Sequence, residues 1–243
     1  MALIPLRDDN PYTRFPFVTV ALIVANVFVF LTTTASLLGT ASGALVYRYG
    51  LVPCNLVGGC PALPPQIQTI LAQRSALSSL FTAMFMHANI LHLGFNMLFL
   101  WIFGNNVEDR LGRIRFLAFY LVCGVLASFV FVAFNADSAL PVIGASGAIS
   151  GILGAYIVLW PRARVMSLLP LGFFFFPIRT PAYVVIGLWF VGQLLAAIGG
   201  YATHQSSGVA VLAHVGGFIA GLVLIVPFGG RRARGGVLHE RFG

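Results

Sequence analysis

Long apolar stretches alternate with short charged ones along this chain. Residues 15–47 and 75–107 contain no charged side chain, residues 116–136 and 138–161 are parted only by Asp137, and residues 180–230 again contain none. A helix that crosses a bilayer needs about 20 apolar residues. Each of the first four stretches accommodates one such helix. The last accommodates two, separated by the polar run Thr203-His204-Gln205-Ser206-Ser207. The pattern predicts six spans near 17–36, 86–105, 115–134, 146–161, 181–200 and 209–227, and hence an all-α membrane protein built as a six-helix bundle. Residues 1–14 read as a short polar lead, 15–228 as the membrane domain and 229–243 as a basic tail. Within the domain, 38–77 is a long outer loop. Gln66 to Arg74 form an interfacial helix there, with Ile67, Ile70 and Leu71 on one side. Gly112 and Arg113 turn the chain between the second and third spans, and the run Phe173–Phe176 belongs at the cytoplasmic interface.

Composition agrees with that pattern. Hydrophobic residues make up 59% of the 243 positions and charged residues 8%, against about 25% charged in a soluble domain. So few charges could not coat a surface facing water, so the lipid bilayer is the expected solvent. The formal net charge of +8 comes from 14 arginines, with no lysine. Such a charge can signal nucleic acid, but its distribution argues for a membrane and against nucleic acid. With the N-terminus inside, Arg7, Arg14, Arg110, Arg113, Arg115, Arg162, Arg164, Arg179, Arg231, Arg232, Arg234 and Arg241 all fall on the cytoplasmic side. Only Arg48 and Arg74 fall outside. This positive-inside bias puts both termini in the cytoplasm. The apolar run Leu22 to Leu31 lies too deep for a cleavable signal, so the first span is expected to be its own anchor. Cys123 falls in mid-span as a small packed hydrophobe. Cys54 and Cys60 share the outer loop, where an oxidising exterior permits a disulfide.

Polar side chains inside lipid are costly and therefore informative. His92 and Asn96 fall on the second span, Ser146 at the start of the fourth and His214 on the sixth. These three spans run in the same direction, so depth can be counted back from their inner ends at Asn106, Pro161 and Pro227. At 1.5 Å per residue, His92, Ser146 and His214 stand roughly 21, 22 and 20 Å above the inner boundary. They share one level, below the outer edge of a core about 30 Å thick. Asn96 follows His92 at i, i+4 and so lies one turn deeper on the same face. The fourth span is too short to cross, so residues 136–144 must dip into the membrane as non-helical backbone. Such backbone is tolerated only where it is buried in protein or lines a wet cavity.

These groups suit acyl transfer. Serine becomes nucleophilic beside a base, and His214 is the candidate base for Ser146. Gly147 and Gly151 on the fourth span and Gly217 and Gly221 on the sixth let the two helices approach closely, which carries His214 toward Ser146. No carboxylate is placed to complete a triad, so a dyad is expected. The backbone N–H of Ser146, the amide of Asn96 and the ring of His92 are the candidate oxyanion donors. Each residue also has a plain structural reading. Small residues pack membrane helices everywhere, Asn96 can join two helices, and a lone histidine can be a structural hydrogen-bonding group. His87 and His92 are about 140° apart around a helix, which does not suit a metal pair; His87 is placed near the outer interface, bracing the outer loop.

The segment His87-Ala88-Asn89-Ile90-Leu91-His92-Leu93-Gly94-Phe95-Asn96, the motif Gly144-Ala145-Ser146-Gly147, and Ala213-His214-Val215-Gly216-Gly217 followed by Gly221 resemble rhomboid intramembrane serine proteases. The resemblance implies Ser146 as nucleophile, His214 as base, and His92 and Asn96 at the oxyanion. It further implies cleavage of single transmembrane segments of other proteins near their outer end, without cofactor. A bacterial cytoplasmic membrane is the expected location, with the site open to the outside. Two departures stand out. Many members carry Trp-Arg where this chain has Ser78 and Ser79, and an aromatic residue, stacked on the base, where it has Ser150. The rivals are a non-proteolytic scaffold that binds transmembrane helices and a transporter or proton channel using His92 and His214. The latter class often carries inverted repeats, and none is visible.

Overall fold

The computed structural model describes residues 3–34, 42–171, 173–203 and 211–230. Strand β1 (Ile4–Asp8) precedes α1 (Phe17–Thr33). Four short helices follow, the first three within the 38–77 loop: α2 (Gly43–Tyr49), α3 (Pro53–Val57), α4 (Pro65–Ala72) and α5 (Ser79–Thr82). Helix α6 (Ile90–Phe99) runs through a π-helical turn at Leu100–Gly104 into α7 (Asn105–Leu111). Then come α8 (Arg113–Phe134), α9 (Ser146–Leu159), strands β2 (Arg164–Leu171) and β3 (Phe174–Pro181), α10 (Ala182–Thr203) and α11 (Val211–Leu224).

Three helical stretches, Ile90–Leu111, Arg113–Phe134 and Ala182–Gly199, are long and apolar enough to cross a membrane. Phe17–Thr33, Ser146–Leu159 and Val211–Leu224 are shorter apolar helices. The second of the expected spans thus starts later and runs deeper than 86–105. Glu108 does not end it, because this buried carboxylate has a partner. It accepts hydrogen bonds from the Val18 and Thr19 N–H groups at 2.9 and 2.7 Å and from Thr19 Oγ1 at 2.8 Å. It therefore caps the first turn of α1, where Pro16 supplies no side-chain acceptor.

Helix α9 is the centre of the bundle. Its residues from Gly147 to Tyr156 are all buried, and α8 and α11 pack against it most extensively. At 14 residues it is about 21 Å long, short of the apolar core of a bilayer. On α11, a methyl group at Gly217 would run into the carbonyl oxygen of Gly147, and one at Gly221 into that of Gly151. The two backbones touch because these positions carry no side chain.

The expected all-α architecture needs correction. Residues 4–8 and 164–181 form a three-stranded antiparallel sheet in the order β1-β2-β3. The lead is therefore part of the fold. Along β2, Val165 and Ser167 are buried while their neighbours are not, the alternation of a strand with one covered face. The Phe173–Phe176 side chains stand exposed around the hairpin tip.

The outer loop is also built rather than loose. Helix α4 buries Leu71 and packs Ile67 against Val52 and Cys54. Cys54 and Cys60 form a disulfide. The Arg74 guanidinium donates to the carbonyls of Gly50 and Arg48 and to Asn55 Oδ1, and Thr82 Oγ1 donates to the Tyr49 carbonyl at 2.6 Å. Ser78 and Ser79 leave that bracing to Arg74 and Thr82.

Candidate active site

Residues 135–145 connect α8 to α9 without helix. They are held by backbone pairing on one side and by the Gly144 N–H, which donates to the Ala83 carbonyl at 2.9 Å, on the other. Gly144 has φ +131°, a conformation that L side chains rarely adopt. A methyl group there would lie 2.8 Å from His92 Nε2 and 3.5 Å from Ser146 Oγ. Gly144 thus leaves a small space with the serine on one side and the His92 ring on the other.

Ser146 is the first residue of α9. Its N–H has no partner within the helix and points out of the helix start. Its Oγ lies 2.7 Å from His214 Nε2. His214 projects from α11, one turn before the Gly217 contact, so the close backbone approach of α9 and α11 sets this distance.

His92 is oriented from its own helix start. Asn89 caps α6 through Oδ1, which accepts from the His92 N–H at 2.9 Å. The Ala88 N–H donates to His92 Nδ1 at 3.4 Å. With Nδ1 accepting, the ring proton belongs on Nε2, the atom that faces the space beside Gly144. Asn96 is buried and lines the same cavity. One of its amide hydrogens goes to the His92 carbonyl at 2.8 Å, which leaves the other for a ligand. His87 packs its ring edge-on against His92, with centroids 5.0 Å apart.

Ser146, His214, His92, Asn96 and Gly144 line one cavity of about 800 Å³, together with Ser138, Trp189 and Ala197. Residues 204–207 of the polar run between the last two expected spans lie outside the described residues, as does the basic tail from 231 onward.

Two residues of α10 contribute what the sequence reading did not assign. Gln193 Oε1 lies 2.7 Å from His214 Nδ1. The Trp189 ring lies 6.0 Å from the imidazole at an angle of 38°. A signal for Gln193 existed, since it is the only amide side chain in the apolar run 182–199, and a polar group inside lipid calls for a partner. At Ser150, in place of an aromatic ring, Oγ donates to the Ser146 carbonyl one turn earlier at 2.6 Å.

Comparison with known proteins gives a concordant picture. The family model described as the rhomboid domain matches residues 74–231. Rhomboid protease GluP of Bacillus subtilis is 36% identical over 153 residues, 62% of this chain and 26% of that protein. Rhomboid protein 1, mitochondrial, of Saccharomyces cerevisiae is 30% identical over 149 residues, covering 60% and 40%. Rhomboid-like protein 11, chloroplastic, of Arabidopsis thaliana is 32% identical over 152 residues, covering 59% and 50%. The matched region thus spans half or less of the length of each of these relatives.

Proposed function

The chain belongs to the rhomboid family, and from that premise we propose that it is an intramembrane serine endopeptidase. The observation that carries the reading is the 2.7 Å contact between Ser146 Oγ and His214 Nε2 in a cavity that His92 and Asn96 also line. In this reading His214 takes the Ser146 hydroxyl proton as Oγ attacks a peptide carbonyl. It then returns that proton to the leaving amine, and the acyl-enzyme is hydrolysed by water through the same steps. The developing oxyanion is met by the Ser146 N–H, the His92 Nε2–H and the free Asn96 amide hydrogen. No cofactor enters these steps.

The substrates in this reading are transmembrane segments of other proteins, cut near their outer ends. Six spans with both termini inside follow from the arginine asymmetry. The short α1, α9 and α11 cross as members of the bundle, and the site opens outward. Among the relatives named above, one is bacterial and two are organellar; the proposed location here is a bacterial cytoplasmic membrane. A helix-binding scaffold would need neither the hydrogen-bonded serine and histidine nor the donors around them.

The test is direct. The detergent-purified protein should be labelled at Ser146 by a serine-reactive fluorophosphonate, and His214→Ala should abolish the labelling. Ser146→Ala and His214→Ala should each also abolish cleavage of a membrane-anchored reporter without lowering the melting temperature. Substantial cleavage by Ser146→Ala would remove the assignment.

A further inference from the structure

The proton that makes His214 useful as a base sits on the side of the ring away from Ser146. A neutral imidazole has one donor and one acceptor nitrogen. To take the hydroxyl proton, Nε2 must be the acceptor, so Nδ1 must carry the hydrogen, and what Nδ1 bonds to decides which tautomer prevails. That partner is Gln193 Oε1 at 2.7 Å.

The placement of Gln193 is specific. The inward stripe of α10 runs through Ala182, Val185, Ile186, Trp189, Phe190, Gln193 and Ala197, all buried or half-buried where most residues between them are exposed, at the spacing of one helix face. Trp189 and Phe190 hold this face to α11, with the Phe190 ring stacked on Phe218 at 4.3 Å. Gln193 is the one polar member of the stripe and meets the one histidine described on α11. At position 150, where a ring could have held the imidazole from α9, there is a small side chain whose hydroxyl is turned back to its own helix. The orientation of the base therefore comes from α10.

We infer that Gln193 is a positioning residue for the reaction proposed above: its carbonyl holds the proton on His214 Nδ1 and leaves Nε2 free to accept from Ser146. The inference rests on the protease reading for its chemistry, but not for the tautomer it predicts. Because Gln193 rides on α10, the base is set only while that helix is seated against α11. Outward movement of α10 withdraws the acceptor.

The test uses the full purified chain and the variants Gln193→Leu, Gln193→Met and Gln193→Glu. Histidine ¹⁵N shifts should find neutral His214 protonated at Nδ1 in the parent, and a mixture of tautomers in the Leu and Met variants. In cleavage of a transmembrane reporter, both apolar variants should lower kcat by about 10²-fold, the low end of what a positioned base contributes, with KM within about twofold of the parent. Gln193→Glu, which still presents an acceptor to Nδ1, should restore most of the lost rate. Melting temperatures of the same samples separate loss of fold from loss of positioning, and two apolar side chains of similar length guard against one misfit. A parent His214 protonated at Nε2 would overturn the inference. So would a folded Leu or Met variant with kcat near the parent's, or a folded Glu variant no better than the Leu variant. A parent inert to fluorophosphonate would instead count against the protease reading, and the tautomer measurement would still decide the role of Gln193.

Discussion

Leu51 and Val142 exchange a pair of backbone hydrogen bonds, the Leu51 N–H donating to the Val142 carbonyl at 2.9 Å and the Val142 N–H to the Leu51 carbonyl at 2.7 Å. This single bridge joins the outer loop to the segment that leads into Gly144 and Ser146. The Cys54 N–H adds a third bond, to the Ser138 carbonyl at 3.0 Å. The outer loop is thus a splint along the backbone of the candidate oxyanion site.

That relationship makes Arg74 important at a distance. Its guanidinium donates to Gly50 O, one residue before the bridge. Arg74→Ala leaves acceptors there unmet, at a cost of about 1–3 kcal/mol. The expected outcome is a lower melting temperature and faster amide exchange at Val142. Cleavage should fall through kcat, because the space beside Gly144 loosens while the substrate-facing helices stay intact. Unchanged exchange at Val142 would break the proposed link.

The glycine contact between α9 and α11 predicts a sharp contrast between two alanine substitutions. A methyl group at Gly221 would enter the carbonyl of Gly151, backbone against backbone, whereas one at Gly94 meets nothing within 4 Å. Gly221→Ala should destabilise by about 1–3 kcal/mol or more, as overpacking does where neighbours cannot give. Gly94→Ala should be neutral or stabilising by about 0.5–1 kcal/mol, through reduced chain entropy. Thermal melts of the two variants in one detergent check both.

How far the sequence revealed these features depended on the range of the contacts. Ser146, His214, His92 and Asn96 were legible because each is a polar group in an apolar run, and depth could be counted along parallel helices. Gln193 carries the same signal but lies on an antiparallel helix, whose depth cannot be counted back from the same end. The sheet was hidden for a different reason. Strand β1 is separated from β2 by the whole of the intervening bundle, and Pro170, Pro177 and Pro181 interrupt the strand-like pattern of β2 and β3. Charges misled at Glu108 and Asp109, which look like a helix exit. Glu108 instead meets the start of α1, and Asp109 meets the lead through the Thr13 and Arg14 N–H groups at 2.9 and 3.2 Å.

Asp8, in the lead, predicts a dependence on pH. Asp8 accepts from Asn106 Nδ2 at 2.9 Å and from the Tyr156 hydroxyl. Burial outweighs these bonds and pushes its carboxyl up from 3.8 to about 6. A raised carboxyl binds its proton more tightly in the folded state than in the unfolded one. Its contribution to stability is then full below about pH 4 and lost as pH rises toward 6. Asp8→Asn, which stays neutral, should remove this component. The difference in melting temperature between parent and variant should therefore change between pH 4 and 6 and level off above. A difference that is flat across that interval would show that Asp8 titrates alike in both states.

If the substrate is held in lipid, as proposed above, it must reach Ser146 from the side, and α10 is the wall we propose to yield. Of the three long helices it has the smallest share of buried residues, 17% of an 18-residue stretch against 39% and 56% for the others. Among the described residues, Trp189, Phe190 and Gln193 meet α11. Phe95 on α6 and Ala197 on α10 line the same cavity. A thiol crosslinker joining Phe95→Cys to Ala197→Cys should hold the wall closed. The seated α10 keeps Gln193 on His214, so the chemistry itself is preserved. Cleavage of a transmembrane substrate should then fall much more than cleavage of a soluble unfolded one. A glycine or proline in the outer third of a substrate's transmembrane segment should raise cleavage in the uncrosslinked protein, because a helix hides its carbonyls from a nucleophile. Equal slowing of both substrate types would argue against lateral access. It would favour a route that does not need α10 to move.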